Sequence, residues 1–331
     1  MSATKFAALL QRFFVDRLIR QLGASPHTVA SYRDTFRLLL HFAHDRLGRA
    51  PSELKLDDLE ATFLVEFLVY LEKQRQVSVR TRNTRLAALH SFFRYVAFSE
   101  PAFALLCQRV LAIPAKRYER GPIEFLLENE CNALIEAPDT SKWLGRRDHA
   151  LLLLAIQTGL RNSEIISLTR QYVQLGTGAH VRCLGKGRKA RCTPLQPDAV
   201  KILESWLTEN RSRDDDPVFP SSRGGFLSRD ALERLVKRHV ISASQNCPSL
   251  KGRKITPHTL RHSAAMALLR RGVDLTVIAL WLGHESTETT MIYMHADMQL
   301  KERALQHANL TNTIPERFQP PDDLLAFLDG L

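Results

Sequence analysis

The sequence predicts a mainly α-helical protein with a small β-sheet, an α+β fold class, divided between two domains. Apolar residues recur at helical spacing through much of the chain, and two short segments between residues 180 and 195 alternate like strands. Residues 112–122 interrupt every periodicity with two prolines and a glycine. We therefore expect four parts: a helical domain over residues 1–112, a linker over 113–121, a mixed domain over 122–312 and a tail over 313–331.

The first domain is predicted to be a bundle of amphipathic helices. A helix over Pro26–Phe42 places its apolar residues at helical spacing, and Ser25 before the proline supplies the hydroxyl of an N-cap. Two further helices are predicted over residues 57–72 and 79–97.

The third of these helices begins with a run of arginines. Arg80, Arg82 and Arg85 stand among threonine and asparagine residues in its early turns, before the sequence becomes apolar. Side chains of these types reach the phosphates of nucleic acids, so we predict a nucleic-acid contact here. A solvated helix face explains any single one of these arginines equally well.

The second domain mixes helices with a β-hairpin. Strands over residues 180–184 and 190–195 flank a glycine-rich turn, which predicts an antiparallel pair. The other predicted elements are helices over residues 127–136 and 147–157, a short strand over 217–221 and several helices between 228 and about 310.

The chain is basic, which favours a polyanionic partner. It holds 46 lysines and arginines against 35 acidic residues, for a net charge of +11. The first 118 residues contribute most of the excess, with 18 basic and 10 acidic side chains. Nucleic acid is the commonest polyanion for such a protein, although the charge alone suits a merely basic protein equally well.

The sequence also predicts where the protein works. Its N-terminus carries charges from Lys5 onward and lacks the uninterrupted apolar core of a signal peptide, and no stretch approaches the roughly 18 apolar residues of a membrane span. Five cysteines without a C-x-x-C pair indicate reduced thiols, not a disulfide framework or a zinc ribbon. We expect a cytoplasmic, nucleoid-associated protein with no membrane partner.

Two segments of the second domain carry candidate cations. TGLRNSEI at residues 158–165 places Arg161 after a glycine that ends a buried helix, and Glu164 lies three residues further on, where it can hold the arginine. The hairpin GKGRKARCTPL carries Lys186 at its tip and Lys189 close by, where an ammonium group can reach into a groove. Taken alone, the first segment indicates a structural ion pair and the second an ordinary solvated turn.

The segment TPHTLRHS predicts the start of a helix that can bind an anion. Thr256 has N-cap character and a proline follows it, so His258 and Arg261 share one face at the positive end of the helix dipole. His258 and His262 also have the i, i+4 spacing of a zinc-binding helix. Thr259 replaces the glutamate of that motif, however, and we predict no metal site.

The segment LGHESTETTMIYMH contains the last two candidates. Gly283 ends a helix that begins near Asp274, His284 follows on the turn, and Ser286 can cap a short helix that carries Tyr293. A tyrosine on a helix is most often a core residue, so Tyr293 alone indicates little. The ordered set is specific: an arginine, a hairpin lysine, H-x-x-R, G-H, and a tyrosine nine residues after that histidine.

This ordered set resembles the catalytic domain of the tyrosine recombinases, also called the phage integrase family. The resemblance covers residues 122–297 through the four segments quoted above. Residues 5–112 resemble the family's helical, DNA-binding core-binding domain through SPHTVASYRDTFRLLLHFA and RTRNTRLAALHSFFRYV. Because no arm-type DNA-binding domain precedes that region, we expect a compact member of the Xer or transposon-like kind.

The resemblance implies a site-specific recombinase that exchanges DNA strands without a metal or other cofactor. The resemblance implies that Tyr293 attacks the scissile phosphate and forms a 3′-phosphotyrosine, while Arg161 and Arg261 bind the phosphate oxygens. Lys186 is expected to protonate the leaving 5′-oxygen, and His258 to exchange a proton with the tyrosine. His284 is expected to contact the phosphate, and Glu164 to orient Arg161. His262 and His295 receive no role. Arg80, Arg82, Arg85 and Lys189 are expected to bind DNA.

The resemblance also implies partners. They are double-stranded DNA, copies of this chain as a dimer on one site and a tetramer in synapsis, and in some systems a partner recombinase. The segment PDDLLAFLDGL has an apolar stripe that a short helix cannot bury alone, so we expect the tail over 313–331 to dock on a neighbouring protomer; packing in cis is the alternative. A type IB topoisomerase and a catalytically silent DNA-binding regulator remain as competing functions.

Overall fold

The computed structural model describes residues 6–119, 121, 123–184, 190–210, 213–284 and 288–296. The chain divides into two compact units, residues 1–120 and 121–331, and each has a hydrophobic core of its own. The described residues are mainly helical with one small antiparallel sheet, which confirms the predicted fold class. None of the described helices combines the length and the apolar character that a membrane crossing needs. The predicted tail lies outside the described residues.

The first unit is a bundle of helices. Its α-helices are α1 (Phe6–Arg12), α2 (Pro26–Leu47), α3 (Ala61–Lys73), α4 (Val79–Ser99) and α5 (Ala104–Leu111). A π-helical stretch, Phe13–Gln21, continues α1, and 3-10 turns at Leu56–Leu59 and Pro101–Phe103 precede α3 and α5. The sequence analysis did not assign the helix that α1 and the π-helical stretch form.

Aromatic rings hold this bundle together. Phe92 of α4 lies at the centre, with ring centroids 5.7 Å from Phe6, 5.4 Å from Phe13 and 5.3 Å from Phe36, all in edge-on arrangements. All four rings are buried. Edge-on pairs add about 0.5–1.5 kcal/mol each beyond the burial of their area, so α1, α2 and α4 are joined through one residue.

The predicted helix starts in this unit are partly confirmed. Ser25 caps α2, because its hydroxyl accepts the backbone N–H of Thr28 at 3.1 Å. The helix predicted over residues 57–72 is confirmed as α3, but its predicted start is wrong, because Glu60 has extended backbone (φ −66°, ψ 169°) and separates a 3-10 turn from α3. The carboxylate of Asp58 accepts the backbone N–H of Lys55 at 2.9 Å and closes that turn on itself.

The second unit contains eight α-helices and three strands among its described residues. They are α6 (Glu128–Glu136), α7 (Trp143–Thr158), α8 (Asn162–Ile166), β1 (Val173–Gln174), β2 (His180–Leu184), β3 (Ala190–Pro194), α9 (Pro197–Glu209), α10 (Arg229–Asn246), α11 (Pro257–Arg270), α12 (Leu275–Leu282) and α13 (Glu288–Ala296).

The sheet has the order β1-β2-β3 with antiparallel neighbours. The predicted hairpin of β2 and β3 is confirmed, with Cys183 opposite Arg191. The strand predicted over 217–221 is wrong: Pro217 forms only an isolated bridge with Thr169, because a proline has no N–H for a ladder. The two-residue β1 was too short for its pattern to be seen in the sequence.

Helix α7 is the central element of the second unit. Its residues Ala150–Ala155 are all buried, so the helix is enclosed on every side. The buried carboxylate of Asp148 accepts hydrogen bonds from Arg147 at 2.6 and 2.9 Å and contacts His239 Nε2 of α10 at 2.8 Å. This network fixes α7 against α10. The helix ends at Gly159 in the left-handed conformation, which directs the chain into the candidate site.

Candidate active site

The candidate residues of the second unit converge where three chain segments meet. Arg161 follows α7 and occupies the N-cap position of α8. Arg261 lies early in α11, whose predicted Thr256 cap is confirmed by a bond from the Thr259 N–H at 3.3 Å. The third segment is the turn between α12 and α13, with His284 on the turn.

The guanidinium of Arg261 joins all three segments. Its Nη1 donates to the carbonyl of Gly159 at 2.7 Å, and its Nη2 donates to the carbonyl of Leu282 at 2.8 Å. The residue is 3% exposed. Burial, and then the charge of Arg161, lower the pKa of Arg261 to about 10, so it remains charged at neutral pH.

Arg161 is the more open of the two cations. It donates from Nη2 to the carbonyl of Gly283 at 2.5 Å and from Nη1 to Glu164 Oε1 at 2.9 Å, and its own backbone N–H donates to Glu164 Oε2 at 2.8 Å. About 31% of its side chain is exposed. Two positioned guanidinium groups, one buried and one open to solvent, form a site suited to a phosphate oxyanion.

Two glycines make this convergence sterically feasible. Gly159 and Gly283 have φ values of +63° and +65°, a region that disfavours other residues. A Cβ at Gly159 would lie 2.7 Å from Leu282 Cδ2, and a Cβ at Gly283 would lie 2.8 Å from Arg191 Nη1. The sequence predicted both glycines as helix ends; their close packing is visible only in the structure.

Glu164 is shared between two arginines. Arg191 of β3 donates from Nη1 and Nη2 to the two carboxylate oxygens of Glu164 at 2.8 and 2.6 Å, and from Nε to the carbonyl of Trp281 at 3.2 Å. Burial alone would raise the pKa of Glu164, but hydrogen bonds from Arg191 and from the backbone N–H of Arg161 outweigh it and lower the pKa to about 2. Glu164 is therefore an anion that braces the Arg161 side chain.

Sequence reasoning missed Arg191. The available signal was the strand period of two, which puts Arg191 on the same face of β3 as the buried Thr193, whereas Cys192 between them is exposed. An arginine on the inner face of a strand needs a partner, and the glutamate of TGLRNSEI, already expected to hold Arg161, has a second carboxylate oxygen to offer.

His284 is held neutral on the turn. Its Nδ1 lies 2.8 Å from the hydroxyl of Thr290, which is completely buried on α13. Burial, followed by the charges of Arg261 and Arg161, lowers the pKa of His284 to about 4. The contact with Thr290 occupies Nδ1, so Nε2 is the ring nitrogen left for other contacts.

Tyr293 is buried against a histidine to which the sequence analysis gave no role. The tyrosine is 1% exposed, and its hydroxyl lies 2.9 Å from Nδ1 of His262. Burial raises the pKa of Tyr293 to about 12, although the charge of Arg261 opposes the shift. Burial, with the neighbouring His258 and Arg261, lowers the pKa of His262 to about 4. The i, i+4 spacing of the two histidines was the signal, and it was used only to test for a zinc motif.

His258 lies beside this pair at the start of α11. Its side chain is exposed, and its ring centroid is 4.2 Å from that of His262 in an edge-on arrangement. The rings of His284 and Tyr293 are stacked, with their centroids 6.4 Å apart. Within the described ranges, no group of three or more His, Cys, Asp or Glu side chains is arranged to hold a metal ion.

The two hairpin lysines, Lys186 and Lys189, lie outside the described residues, and so does Ser286. The strands that lead into and out of that hairpin are described, and Arg191 fixes β3 to Glu164 and to the end of α12. The base of the hairpin is therefore attached to the arginine site.

The arginines of α4 belong to the first unit and differ in exposure. Arg80 is exposed and Arg85 is half-buried. Arg82 is 5% exposed and donates from Nη1 to the carbonyl of Pro114 at 3.0 Å and to Asn83 Oδ1 at 3.1 Å. These contacts favour a structural role for Arg82, which fastens the chain after α5 to α4.

Two positioned arginines and a group of histidines thus surround a buried tyrosine, an arrangement suited to binding a phosphate ester. The model of the phage integrase family matches residues 124–300, and the model of the phage integrase N-terminal SAM-like domain matches residues 11–98. The chain therefore belongs to the phage integrase family and is a tyrosine recombinase, a DNA strand-transferring enzyme.

Curated relatives agree with this assignment over nearly their whole length. The chain is 51% identical to the putative integrase/recombinase y4rC of Sinorhizobium fredii over 325 residues, which cover 98% of each chain. It is 33% identical to the tyrosine recombinase XerD of Vibrio cholerae over 305 residues, which cover 89% of this chain and 94% of the relative.

Solved structures share the fold at low sequence identity. The Tn1549 transposon integrase in complex with transposon right end DNA has a TM-score of 0.68 at 13% identity, covering 92% of this chain and 99% of the other. The XerH recombinase bound to a palindromic difH substrate has a TM-score of 0.66 at 24% identity, covering 85% and 80%. A lambda integrase tetramer bound to a Holliday junction has a TM-score of 0.60 at 17% identity, covering 88% and 78%.

Proposed function

We propose that this recombinase cleaves and rejoins double-stranded DNA at specific sites through a covalent bond between Tyr293 and a 3′ phosphate. The observation that carries the proposal is the convergence of Arg161 and Arg261 on the turn that precedes the tyrosine helix. The phosphotyrosine keeps the energy of the phosphodiester bond, so a 5′-hydroxyl from a second strand can reverse the step without a nucleotide cofactor.

The two arginines act on the transition state. Attack on phosphorus develops extra negative charge on the non-bridging oxygens, and guanidinium groups fixed beforehand stabilise that charge without reorganising. Glu164 holds the fork of Arg161, and Nε2 of His284 is the group we assign to a phosphate oxygen. Removing one such donor typically costs about 100- to 1,000-fold in rate.

Proton transfer needs an acid for the departing 5′-oxygen. We assign this role to Lys186 at the hairpin tip, because a compact ammonium on a flexible stem can follow the leaving oxygen. Lys189, Arg80 and Arg85 are proposed to bind DNA phosphates. The family resemblance assigns proton exchange with Tyr293 to His258, but the tyrosine hydroxyl contacts His262, so we assign His258 to proton transfer near the phosphate.

The working form is proposed to be an assembly on DNA in the nucleoid of the cytoplasm. Two protomers would bind one site and four would exchange strands; the lambda integrase neighbour is a tetramer bound to a Holliday junction. The tail over residues 313–331 would dock on a neighbouring protomer and so make assembly cooperative. Truncation after Ile314 should weaken cooperative binding while leaving the fold intact; an unchanged Hill slope in a gel-shift titration would contradict the docking role.

Two competing functions make different predictions. A type IB topoisomerase would relax supercoiled DNA as a monomer without a paired site. A silent regulator would bind DNA but form no covalent adduct. One cluster contains all the described candidates for catalysis, and a regulator has no use for such a cluster. It therefore supports an active enzyme; its residues are Arg161, Arg261, His258, His284 and Tyr293.

The proposal is tested by covalent trapping. Wild type and Tyr293→Phe are incubated in EDTA with nicked suicide duplexes taken from the flanks of the protein's own gene and resolved on a denaturing gel. We expect a protein–DNA adduct with wild type and none with Tyr293→Phe, while both bind the duplex. Tight binding by wild type without an adduct on any flank would contradict the proposed function.

A further inference from the structure

His262 lies within hydrogen-bonding distance of the hydroxyl of Tyr293. The two residues come from different helices, α11 and α13, and their contact is the 2.9 Å approach of Nδ1 to Oη. Their ring centroids are 5.5 Å apart in an edge-on arrangement, so the imidazole edge and not its face meets the phenol oxygen. A base must lie within about 2.6–3.2 Å of the atom whose proton it takes, and this pair meets that condition.

We infer that His262 is the group that takes the proton from Tyr293 during attack on the scissile phosphate and returns it on rejoining. This inference rests on the proposed function. In cleavage the Oη–H bond breaks and the proton moves to Nδ1, the Oη–P bond forms, the P–O5′ bond breaks, and the 5′-oxygen takes a proton from the Lys186 ammonium. In rejoining, the attacking 5′-hydroxyl gives its proton to Lys186 while Oη recovers the proton from His262.

The surroundings of His262 keep its imidazole neutral in the DNA-free protein. Burial comes first among the causes that lower its pKa to about 4, followed by His258 and Arg261 of the same helix. A neutral imidazole has one nitrogen with a lone pair, and among the described residues Nδ1 has a hydrogen-bond contact with the phenol hydroxyl, a donor. His284 also faces this group from the turn after α12, and its pKa is lowered in part by His262.

The DNA itself would complete the base. In the DNA-free protein the raised pKa of Tyr293 and the lowered pKa of His262 keep the proton on the phenol. A phosphate bound between Arg161 and Arg261 brings negative charge next to His262, and an adjacent anion favours the protonated form of histidine. Proton transfer is thereby coupled to the presence of substrate.

His258 has a different position in this arrangement. It is exposed and borders His262 at 4.2 Å between ring centroids, on the side away from the protein core. This position suits contact with the phosphate or onward transfer of the proton to solvent. The two histidines of the i, i+4 pair therefore differ in position: His262 contacts the hydroxyl of Tyr293, whereas His258 is exposed to solvent.

The test changes the acidity of the nucleophile. Full-length protein is prepared with tyrosine or 3,5-difluorotyrosine at position 293, each with wild-type His262 or with His262→Ala, and the rate of adduct formation is measured on the nicked duplex. With tyrosine, His262→Ala should slow cleavage about 100-fold. With difluorotyrosine, whose phenol is more acidic, the loss should shrink to about tenfold, because a more acidic phenol depends less on a base. An equal loss with both nucleophiles would overturn the inference.

Two further variants separate chemistry from packing. His262→Asn keeps a hydrogen-bonding side chain but cannot take a proton, so we expect it to fold and bind DNA normally and to cleave as slowly as His262→Ala. If His262→Asn cleaves at the wild-type rate, the inference is overturned. His258→Ala is the matched control. If difluorotyrosine reduces the loss of cleavage rate in His258→Ala and not in His262→Ala, the base is His258. No adduct from the wild type on any duplex would overturn the proposed function, and this inference with it.

Discussion

The position of Arg261 is fixed by its own hydrogen bonds. The planar guanidinium donates to the carbonyls of Gly159 and Leu282 at once, which no lysine ammonium could do in the same geometry. The same side chain lowers the pKa of His284 and opposes the rise in that of Tyr293. Burial is the larger cause of both shifts, and the charge of Arg261 adds to the first and opposes the second.

Glu164 predicts an acid-sensitive site. Its pKa of about 2 lies below the ordinary value of 4.5, so it stabilises the fold fully above about pH 4.5 and progressively less as the pH falls toward 2. Glu164→Gln should lower the free energy of unfolding by about 3 kcal/mol at pH 7 and by almost nothing near pH 2. Urea titrations across this range measure the difference.

The control for this experiment is Glu209→Gln. Glu209 pairs with Arg146 in an exposed salt bridge, so its removal should change the pH dependence of unfolding much less. Parallel pH profiles for wild type and Glu164→Gln would mean that the carboxylate of Glu164 is not stabilised by the two arginines.

Gly283 predicts a strained substitution. In Gly283→Ala the backbone keeps φ near +65° and the new Cβ meets Arg191 Nη1 at 2.8 Å, so the arginine must move away from Glu164. We expect a stability loss of at least the roughly 1–2 kcal/mol of a left-handed alanine, and adduct formation reduced at least tenfold.

Gly272→Ala is the matched control for that variant. Gly272 has φ +80°, but a Cβ there meets nothing within 4 Å, so only the backbone term applies. Thermal melts and trapping assays compare the two. Equal losses of activity would show that the close approach of Gly283 to Arg191 has no part in catalysis.

At the scale of elements, the arginines of α4 differ in their surroundings along one helix. Arg82 faces inward and holds the carbonyl of Pro114, whereas Arg80 is exposed two residues earlier. Arg80→Gln should reduce the salt dependence of DNA binding by about one phosphate contact, a change of about 0.9 in slope, without altering stability. Filter binding between 50 and 200 mM salt gives the slope.

Arg82→Gln should behave in the opposite way. Loss of a buried hydrogen bond from a charged donor should cost about 2 kcal/mol, while the salt slope stays at the wild-type value. If Arg82→Gln instead lowers the slope and leaves the melting temperature unchanged, Arg82 binds phosphate as the sequence suggested.

Local signals predicted most elements, and their failures have local causes. The serine before Pro26 and the threonine before Pro257 marked helix starts that the structure confirms. Periodicity did not predict the break at Glu60, because the apolar pattern continues across it. It also missed Arg191 and His262, whose partners lie 27 and 31 residues away and depend on tertiary contacts that a single sequence does not encode locally.

At the scale of the whole molecule, charge and core are distributed differently between the two units. Residues 1–118 hold most of the excess positive charge and also a core of their own, built around the phenylalanines of α1, α2 and α4. The tyrosine site lies in the second unit, and residues 119–331 hold 28 basic side chains nearly balanced by 25 acidic ones. If the excess positive charge attracts DNA, as we propose, then attraction to DNA and chemistry on DNA belong to separate parts of the chain.

This separation predicts that residues 1–119 fold and bind DNA alone. Their own hydrophobic core should give a cooperative thermal transition by circular dichroism, because its buried residues contact one another within the unit. The excess basic charge should give binding to duplexes of any sequence that weakens steeply with salt. The fragment should form no adduct, since it lacks Tyr293. The prediction fails if the fragment is unfolded, or if it folds but does not bind DNA at 50 mM salt. Either result would mean that the second unit provides the affinity for DNA, and the charge asymmetry would then need another explanation.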